Sequence, residues 1–243
     1  MNVIIIGLGE IGSAYYDILK DIYDVYRIDI DKNKSDVGKK REPKNVDVMH
    51  ICTRYNDKWS SDVITYHAPY QPEYLDIMST VPPGSSKKLG IERVVHSTTR
   101  GLHPNLKQFI LKTPKHIGPV QDNPVTRSFF YNYWYNVGID TVFSPNSTTT
   151  ELAHILSNSL YGIQILFARE MEDICRKYGV DYYHAVMRYS ETHNIGYERV
   201  GIKSKYRPIL TPPGDKIGGH CVVQGAQLIP TEIQGELMKK LSK

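Results

Sequence analysis

The chain has 243 residues, 40% of them hydrophobic, and a formal net charge of +4. That length accommodates one large domain or two small ones, and the apolar content is enough for packed cores and too high for disorder. The charge is mild and no Lys/Arg stripe stands out. The cationic excess suits at most an anionic small ligand, and no nucleic-acid partner is expected.

Three widely spaced cysteines, Cys52, Cys175 and Cys221, form neither a disulfide framework nor a metal-ligand pattern, so no metal is expected. The first strand begins at once, with no leader ahead of it, and no apolar run is long enough to span a bilayer. A soluble, cytoplasmic protein without a membrane partner is the expectation. The 18 tyrosines are unusual and the pattern offers no account of them.

Asn2 to Asp31 sets the theme. Val3 to Ile6 is a short branched apolar run that fits a strand buried on both faces. Gly7-Leu8-Gly9-Glu10-Ile11-Gly12 follows directly, Ser13 to Lys20 reads as a helix, and a second apolar run, Val25 to Ile28, ends in Asp29. Strand, glycine turn, helix, strand and acid in this order make the dinucleotide-binding fingerprint. Gly7 allows the tight turn, Gly9 lets a pyrophosphate approach, and Gly12 lets the helix pack close. The helix N-terminus offers N–H groups to the phosphates. Asp29 lies where a carboxylate accepts from a ribose diol and repels a 2′-phosphate, so the cofactor expected is NAD and not NADP. The plain alternative is a Gly-rich turn without a nucleotide.

Asp31 to Lys44 is polar and reads as loop with at most a frayed helix. Val46 to Cys52 is the next strand and places Thr53 at its carboxyl end, where such sheets bind ligands. Asp57 to Tyr66 reads as helix, with a break at Pro69 to Pro72. Tyr74 to Met78 is a strand running into the rigid loop Ser79-Thr80-Val81-Pro82-Pro83-Gly84. Thr80 either faces the cofactor or caps the next turn. Arg93 to His96, a run starting at Lys115, and Ile139 to Phe143 complete the strands. Val125 to Val137 reads as a helix stopped by Gly138. Its aromatics, Phe129 to Tyr135, are too crowded for one face, so one side is core and the other a contact surface. Strands alternating with helices argue a mostly parallel, doubly wound sheet.

After Pro145 the texture changes. Thr148 and Glu151 have the spacing of a capping box, opening a long helix to about Lys177 that ends at Gly179. Leu160 to Phe167 is apolar nearly all round, which marks a buried helix. Asp181 to Glu191 suggests a helix, Gly196 to Asp215 a loop, and Gln224 to Leu241 a final helix with basic residues near its end. The fold class expected is α/β. A Rossmann-type parallel sheet domain over 1–144 is followed by a smaller all-helical domain over 145–243, built on one long helix.

Two constellations bear on chemistry. Glu151, His154 and Asn158 share one helix face by their spacing of three and four. Polar groups on a buried face need partners or a ligand; loop backbone is the plain alternative. In Pro213 to Cys221 the glycines let a ligand come close. A cysteine after them, beside His220 and at a possible helix start, is open to thiol activation. The plain alternative is an inert small hydrophobe, a description that fits Cys52 and Cys175.

Gly218-Gly219-His220-Cys221 resembles the Gly-Gly-x-Cys nucleophile loop of the UDP-glucose/GDP-mannose 6-dehydrogenase family. The glycine fingerprint, Thr53 to Asn56, Ser79 to Gly84, and the helix carrying Asn158 and Glu170 to Ile174 all fall in that family's order. The resemblance implies an NAD-dependent oxidation of a sugar C6 hydroxyl in two hydride transfers, acting on a sugar or nucleotide sugar. It implies Cys221 as thiohemiacetal nucleophile, Asn158 positioning an oxygen or water, and Thr80 beside the nicotinamide. Three departures stand against it. His154 occupies the family's lysine position, Gly225 stands where an Asp follows the Cys by four, and no Glu matches after the strand ending at His96. The resemblance also implies a divergent, truncated member without the C-terminal nucleotide-sugar domain.

His154 offers a replacement base, because imidazole titrates near neutral pH, with Glu151 or Glu170 to orient it. A His–Asn pair with a nearby Glu also resembles 3-hydroxyacyl dehydrogenases, which transfer one hydride. Three readings follow: a sugar-nucleotide dehydrogenase, a two-electron hydroxy-acid or hydroxy-sugar dehydrogenase, or an NAD-binding regulatory subunit without turnover. A homodimer through the long helix is expected, since an exposed apolar face needs cover.

Overall fold

The computed structural model describes residues 1–99, 101, 105–213 and 220–228, and leaves the side chains of 220, 221, 224 and 226 undescribed. The chain divides into two compact units, Met1–His154 and Ile155–Lys243.

The first unit is a seven-stranded sheet in the order β2-β1-β3-β4-β5-β6-β7. Its strands are β1 (Asn2–Ile6), β2 (Asp24–Ile28), β3 (Val48–Ile51), β4 (Tyr74–Ile77), β5 (Val94–Ser97), β6 (Lys115–Pro119) and β7 (Thr141–Phe143). The helices between them are α1 (Glu10–Leu19), α2 (Trp59–Tyr70), α3 (Ser85–Lys88), α4 (Leu106–Lys112) and α5 (Pro124–Tyr135). The first five strands are parallel, β6 runs antiparallel to β5, and β7 is parallel to β6. This is the doubly wound α/β sheet expected. β1 lies between β2 and β3, so the chain reverses its winding direction at β1/β3, the place where such sheets bind ligands.

Register partners in parallel strands share a face. His50, Asp76 and Val95 therefore lie on one side, and Ile51, Ile77 and His96 on the other. Each side has its own core. Val3, Ile5, Tyr15, Leu19, Tyr133 and Trp134 belong to the first; Ile4, Ile6, Ile51, Trp59, Ile77 and Val81 belong to the second. A sheet buried on both faces explains why its strands are near-continuous apolar runs.

Some expectations shift at their edges. α1 starts at Glu10 rather than Ser13, because Gly9 is already the N-cap. Pro69 does not break α2; it sits inside its last turn, and Gln71 at φ +40° ends the helix. In α5, Phe130, Tyr133 and Trp134 are core, while Tyr131 and Tyr135 are exposed and stack on each other at 5.9 Å.

A 31-residue helix, α6 (Ser147–Lys177), begins in the first unit and continues through the second, and Gly179 at φ +65° ends it as the sequence implies. The capping box is not formed. The Asn146 carboxamide oxygen accepts the Thr149 N–H at 2.9 Å, so Asn146 is the cap and Thr148 is not.

In the second unit, a π-helical turn (Tyr183–Arg188) leads into α7 (Tyr189–Arg199). Only residues beyond Arg199 form the expected loop, which includes a 3₁₀ turn at Lys203–Lys205. The Asn194 side chain bonds both the N–H and the C=O of Arg207 and ties that loop to α7. α8 (His220–Gln227) starts earlier than the expected final helix, whose residues from 229 onward lie outside the described ones. The all-round apolar stretch of α6 is not buried: Leu160, Tyr161, Ile163 and Phe167 are 41–62% exposed, while Ile165 is its one buried apolar side chain. No helix among the described residues is long and apolar enough to cross a membrane.

Candidate functional site

The glycine loop is built as its spacing demands. Gly7 sits at φ +88°, and its N–H donates to the Ile28 carbonyl at 2.8 Å, holding the turn beside β2. A Cβ on Gly7 would stand 3.0 Å from Thr53 Cγ2, and one on Gly12 only 1.9 Å from the Gly7 carbonyl oxygen. Thr53 thus packs directly on the loop at the β1/β3 switch point. A Cβ on Gly9 would meet nothing within 4 Å, so the loop is open where a pyrophosphate would approach. Leu8 is buried beneath it, Glu10 and Ile11 open α1, and the Asp29 carboxylate accepts the N–H groups of Leu8 and Asp31. Those bonds fix the acid at the end of β2 beside the loop. An open glycine turn, a helix N-terminus and a fixed carboxylate fit a dinucleotide.

Further along the same strand ends, the loop after β4 meets the first turns of α6. Thr80 Oγ1 lies 3.0 Å from His154 Nε2. Thr80 is therefore not a helix cap, and the imidazole bonds to a side chain of the loop. Glu151 does not orient His154. It is fully buried and accepts the N–H groups of Gly84 and Ser86, capping α3 from a distance in sequence. Burial pushes its carboxyl above the usual range, against the pull of those two bonds. Glu170 is exposed and about 24 Å along α6 from His154, too far to orient it.

Sequence reasoning missed His96. It is buried on β5, with Nδ1 2.9 Å from Thr150 Oγ1 and Nε2 3.3 Å from the Ser79 carbonyl. A Cβ on Gly118 would lie 2.3 Å from the Asn146 carbonyl oxygen, so that glycine is what lets the start of α6 press onto β6 close enough for this contact. Burial, reinforced by His154, pushes the His96 ring down to about 3. The available signal was an ionisable residue inside a strand otherwise apolar, which always calls for a partner.

Asn158 lies on α6 within the second unit, and α8 packs on the same stretch of helix. A Cβ on Gly225 would stand 3.1 Å from Asn158 Cβ, and one on Gly162 would stand 2.5 Å from Val222 Cγ1. This close crossing suits glycine at position 225: any Cβ there would press on Asn158 and make one of the two give by a few tenths of an ångström. Cys221 is the second residue of α8, one turn before Gly225. Its side chain, and Gly218 and Gly219 before it, lie outside the described residues. Cys52, by contrast, lies under the glycine loop near Met78, and burial pushes its thiol up to about 12, which leaves it inert.

No protein-family model matches the chain. A UDP-N-acetyl-D-mannosamine dehydrogenase of Methanococcus maripaludis is 24% identical over 151 residues, which take in 60% of this chain and 32% of that protein. The match thus spans about a third of the relative's length. Among solved structures, the UDP-D-ManNAc dehydrogenase of Pyrococcus horikoshii superposes with a TM-score of 0.79 at 20% identity, covering 99% of this chain and 69% of that one. The 3-hydroxyisobutyrate dehydrogenase of Mycobacterium tuberculosis superposes at 0.68 with 10% identity, covering 98% and 91%. In sequence over part of its length, and in fold over nearly all of it, the chain is similar to the UDP-sugar dehydrogenases whose motif order it shares.

Proposed function

We propose that the chain is an NAD-dependent dehydrogenase that oxidises a hydroxyl of a sugar or nucleotide sugar. The observation that carries this reading is the Thr80–His154 pair, 3.0 Å apart, at the same strand ends as the open glycine loop. The dinucleotide-binding region is 1–144, and 145–243 supplies the substrate side. Gly7, Leu8, Gly9, Glu10, Ile11 and Gly12 take the pyrophosphate at the start of α1, Asp29 takes the adenosine ribose diol, and Thr53 closes the cofactor crevice. NAD supplies the hydride acceptor.

His154 then acts as general base. A substrate hydroxyl bound at Thr80 gives its proton to Nε2 while its carbon loses hydride, leaving a carbonyl. Asn158, one helical turn further along α6, holds the developing oxygen or a water. Cys221 adds its thiol to an aldehyde as a thiohemiacetal. Once His154 has passed its first proton to solvent it takes the thiohemiacetal hydroxyl proton, and with the hydride going to a second NAD a thioester would be left. Water hydrolyses it to the carboxylate and regenerates the thiol. This reading places the protein in the cytoplasm, with a pool of NAD and nucleotide sugar to draw on.

A second reading has its own observation. Gly225 leaves no acid at that position and packs closely on Asn158, and His154 replaces the family's lysine. A single hydride transfer needs only His154, Asn158 and Thr80. Stoichiometry separates the two: the four-electron reaction yields two NADH per substrate and is lost in Cys221→Ala, whereas the two-electron reaction yields one and survives. Thermal shift with NAD, NADP and a set of nucleotide sugars comes first, since a ligand of the folded state raises its melting temperature. Binding of NAD without NADH formation from any of them would leave a regulatory subunit.

We also propose a homodimer through α6. Leu156, Leu160, Ile163, Phe167 and Ile174 are exposed at spacings of four, three, four and seven, the seam of a two-helix interface. Light scattering that shows a monomer at working concentration removes this part alone.

A further inference from the structure

We propose that His96 is a positioning residue for the Thr80–His154 pair, setting the stance of both through the groups next to them in the chain. The proposal rests on the reading of Thr80 and His154 given above. One ring reaches two supports. Its Nε2 is 3.3 Å from the carbonyl oxygen of Ser79, the residue before Thr80. Its Nδ1 is 2.9 Å from Thr150 Oγ1, on the same helix face as His154 and one turn before it.

The hydrogen bonds assign the tautomer. A carbonyl only accepts, so Nε2 carries the hydrogen toward Ser79 and Nδ1 is the ring's acceptor, facing the Thr150 hydroxyl, which the Ser147 carbonyl shares at 2.9 Å. The ring stays neutral across the physiological range, because its surroundings hold its protonation near pH 3. The bond to Ser79 therefore keeps its direction while His154 gains and loses its proton. Ser79 is held on its other side as well, where its hydroxyl donates to the Ile51 carbonyl at 3.1 Å. Glu151 grips Gly84 and Ser86 at the far end of the loop. With both ends fixed, the Thr80 hydroxyl has one place to stand. Small displacements of such a group cost rate more than binding.

Two substitutions in the full-length chain separate positioning from filling space. In His96→Gln the amide nitrogen reaches the place of Nε2 and keeps the bond to Ser79. In His96→Asn the amide oxygen stands in for Nδ1 and keeps Thr150, but Ser79 is released. The expected result is a kcat within about threefold of wild type for Gln and at least about tenfold lower for Asn, with KM for NAD unchanged in both. Hydrogen exchange across 79–86 should quicken in Asn and not in Gln. Equal loss of kcat in the two variants, or losses that merely follow their melting temperatures, would overturn the proposal. If His96→Asn does not fold, Thr150→Val and Thr150→Ser take its place: Val should lower kcat and Ser should not, and equal values overturn it. If the wild-type chain forms no NADH with any nucleotide sugar, the functional reading has failed. The exchange comparison then decides the positioning role, and equal exchange in the two variants ends it.

Discussion

The two faces of the sheet each bury a histidine, and the two have different company. On one face His50 donates from Nδ1 to Asp76 at 3.0 Å and accepts from the Tyr133 hydroxyl at 2.8 Å. Burial draws the His50 ring down and keeps it neutral. Burial also draws Asp76 up, but the His50 ring and Lys115 outweigh it and hold the carboxyl below its ordinary range. Lys115 is itself buried, bonded to Tyr15 and lying over the rings of Tyr15 and Trp134. This network joins strands to α1 and α5 inside the core. On the other face His96 joins a strand to the loop after β4 and to α6. The lesson is that burial and a hydrogen-bonded histidine do not by themselves mark a site. What separates the two is what the ring itself bonds: His96 holds the loop at a strand end, where a ligand sits, and His50 holds only core side chains.

That contrast is open to direct tests. The largest effect expected is from Asp76→Ala, which strips the partner from His50 and leaves the buried Lys115 charge without the carboxylate that offsets it, and should cost about 3–5 kcal/mol of stability in urea denaturation. NAD affinity per folded molecule should stay the same, because the bonds of His50 itself, to Asp76 and Tyr133, lie inside the core and touch no residue of the glycine loop. A loss of NAD binding beyond the unfolded fraction would erase the distinction between the faces. On the site face, His154→Ala should spare stability and lower kcat by about a hundredfold or more. Steady-state kinetics that show less than a twofold change would remove His154 from the chemistry.

Much of the sheet was legible because each strand is a short apolar run closed by a polar or glycine-rich turn, and the fingerprint from Gly7 to Asp29 is entirely local. An apolar run carries no direction, however, so the reversal of β6 was not readable. The start of α6 offered Asn146, Ser147 and three threonines in succession as rival caps, and the path of the backbone, not the residue types, chose Asn146. Glu151 had the right spacing for a capping box, but its bonds go to Gly84 and Ser86, more than sixty residues earlier, through folding that no local pattern encodes. Apolar residues all round α6 told of a need for cover without telling what supplies it. His96 went unread because a polar residue in a strand says that a partner exists and not which one.

The smallest effect expected is in the acid dependence of stability, where the two histidines act alike. Each has a folded-state pKa below its unfolded value, so the unfolded chain binds the extra proton. Stability is then full above about pH 6.5 and falls as pH drops below it. For His96 the window runs from 6.5 to about 3, and the loss between pH 7 and pH 5 should be about 2 kcal/mol. Asp76, with its carboxyl held low, contributes only at more acid pH. Glu151 acts with the opposite sign, because its carboxyl is raised and the folded state takes up its proton first. Subtraction removes these shared contributions. Urea stability measured at pH 7 and pH 5 for wild type and His96→Gln should show the variant losing about 2 kcal/mol less, with the His50 part of the slope left in both. Equal losses would mean that the His96 ring is not held neutral on its own face, and the constant bond to Ser79 assigned to it would fall with that result.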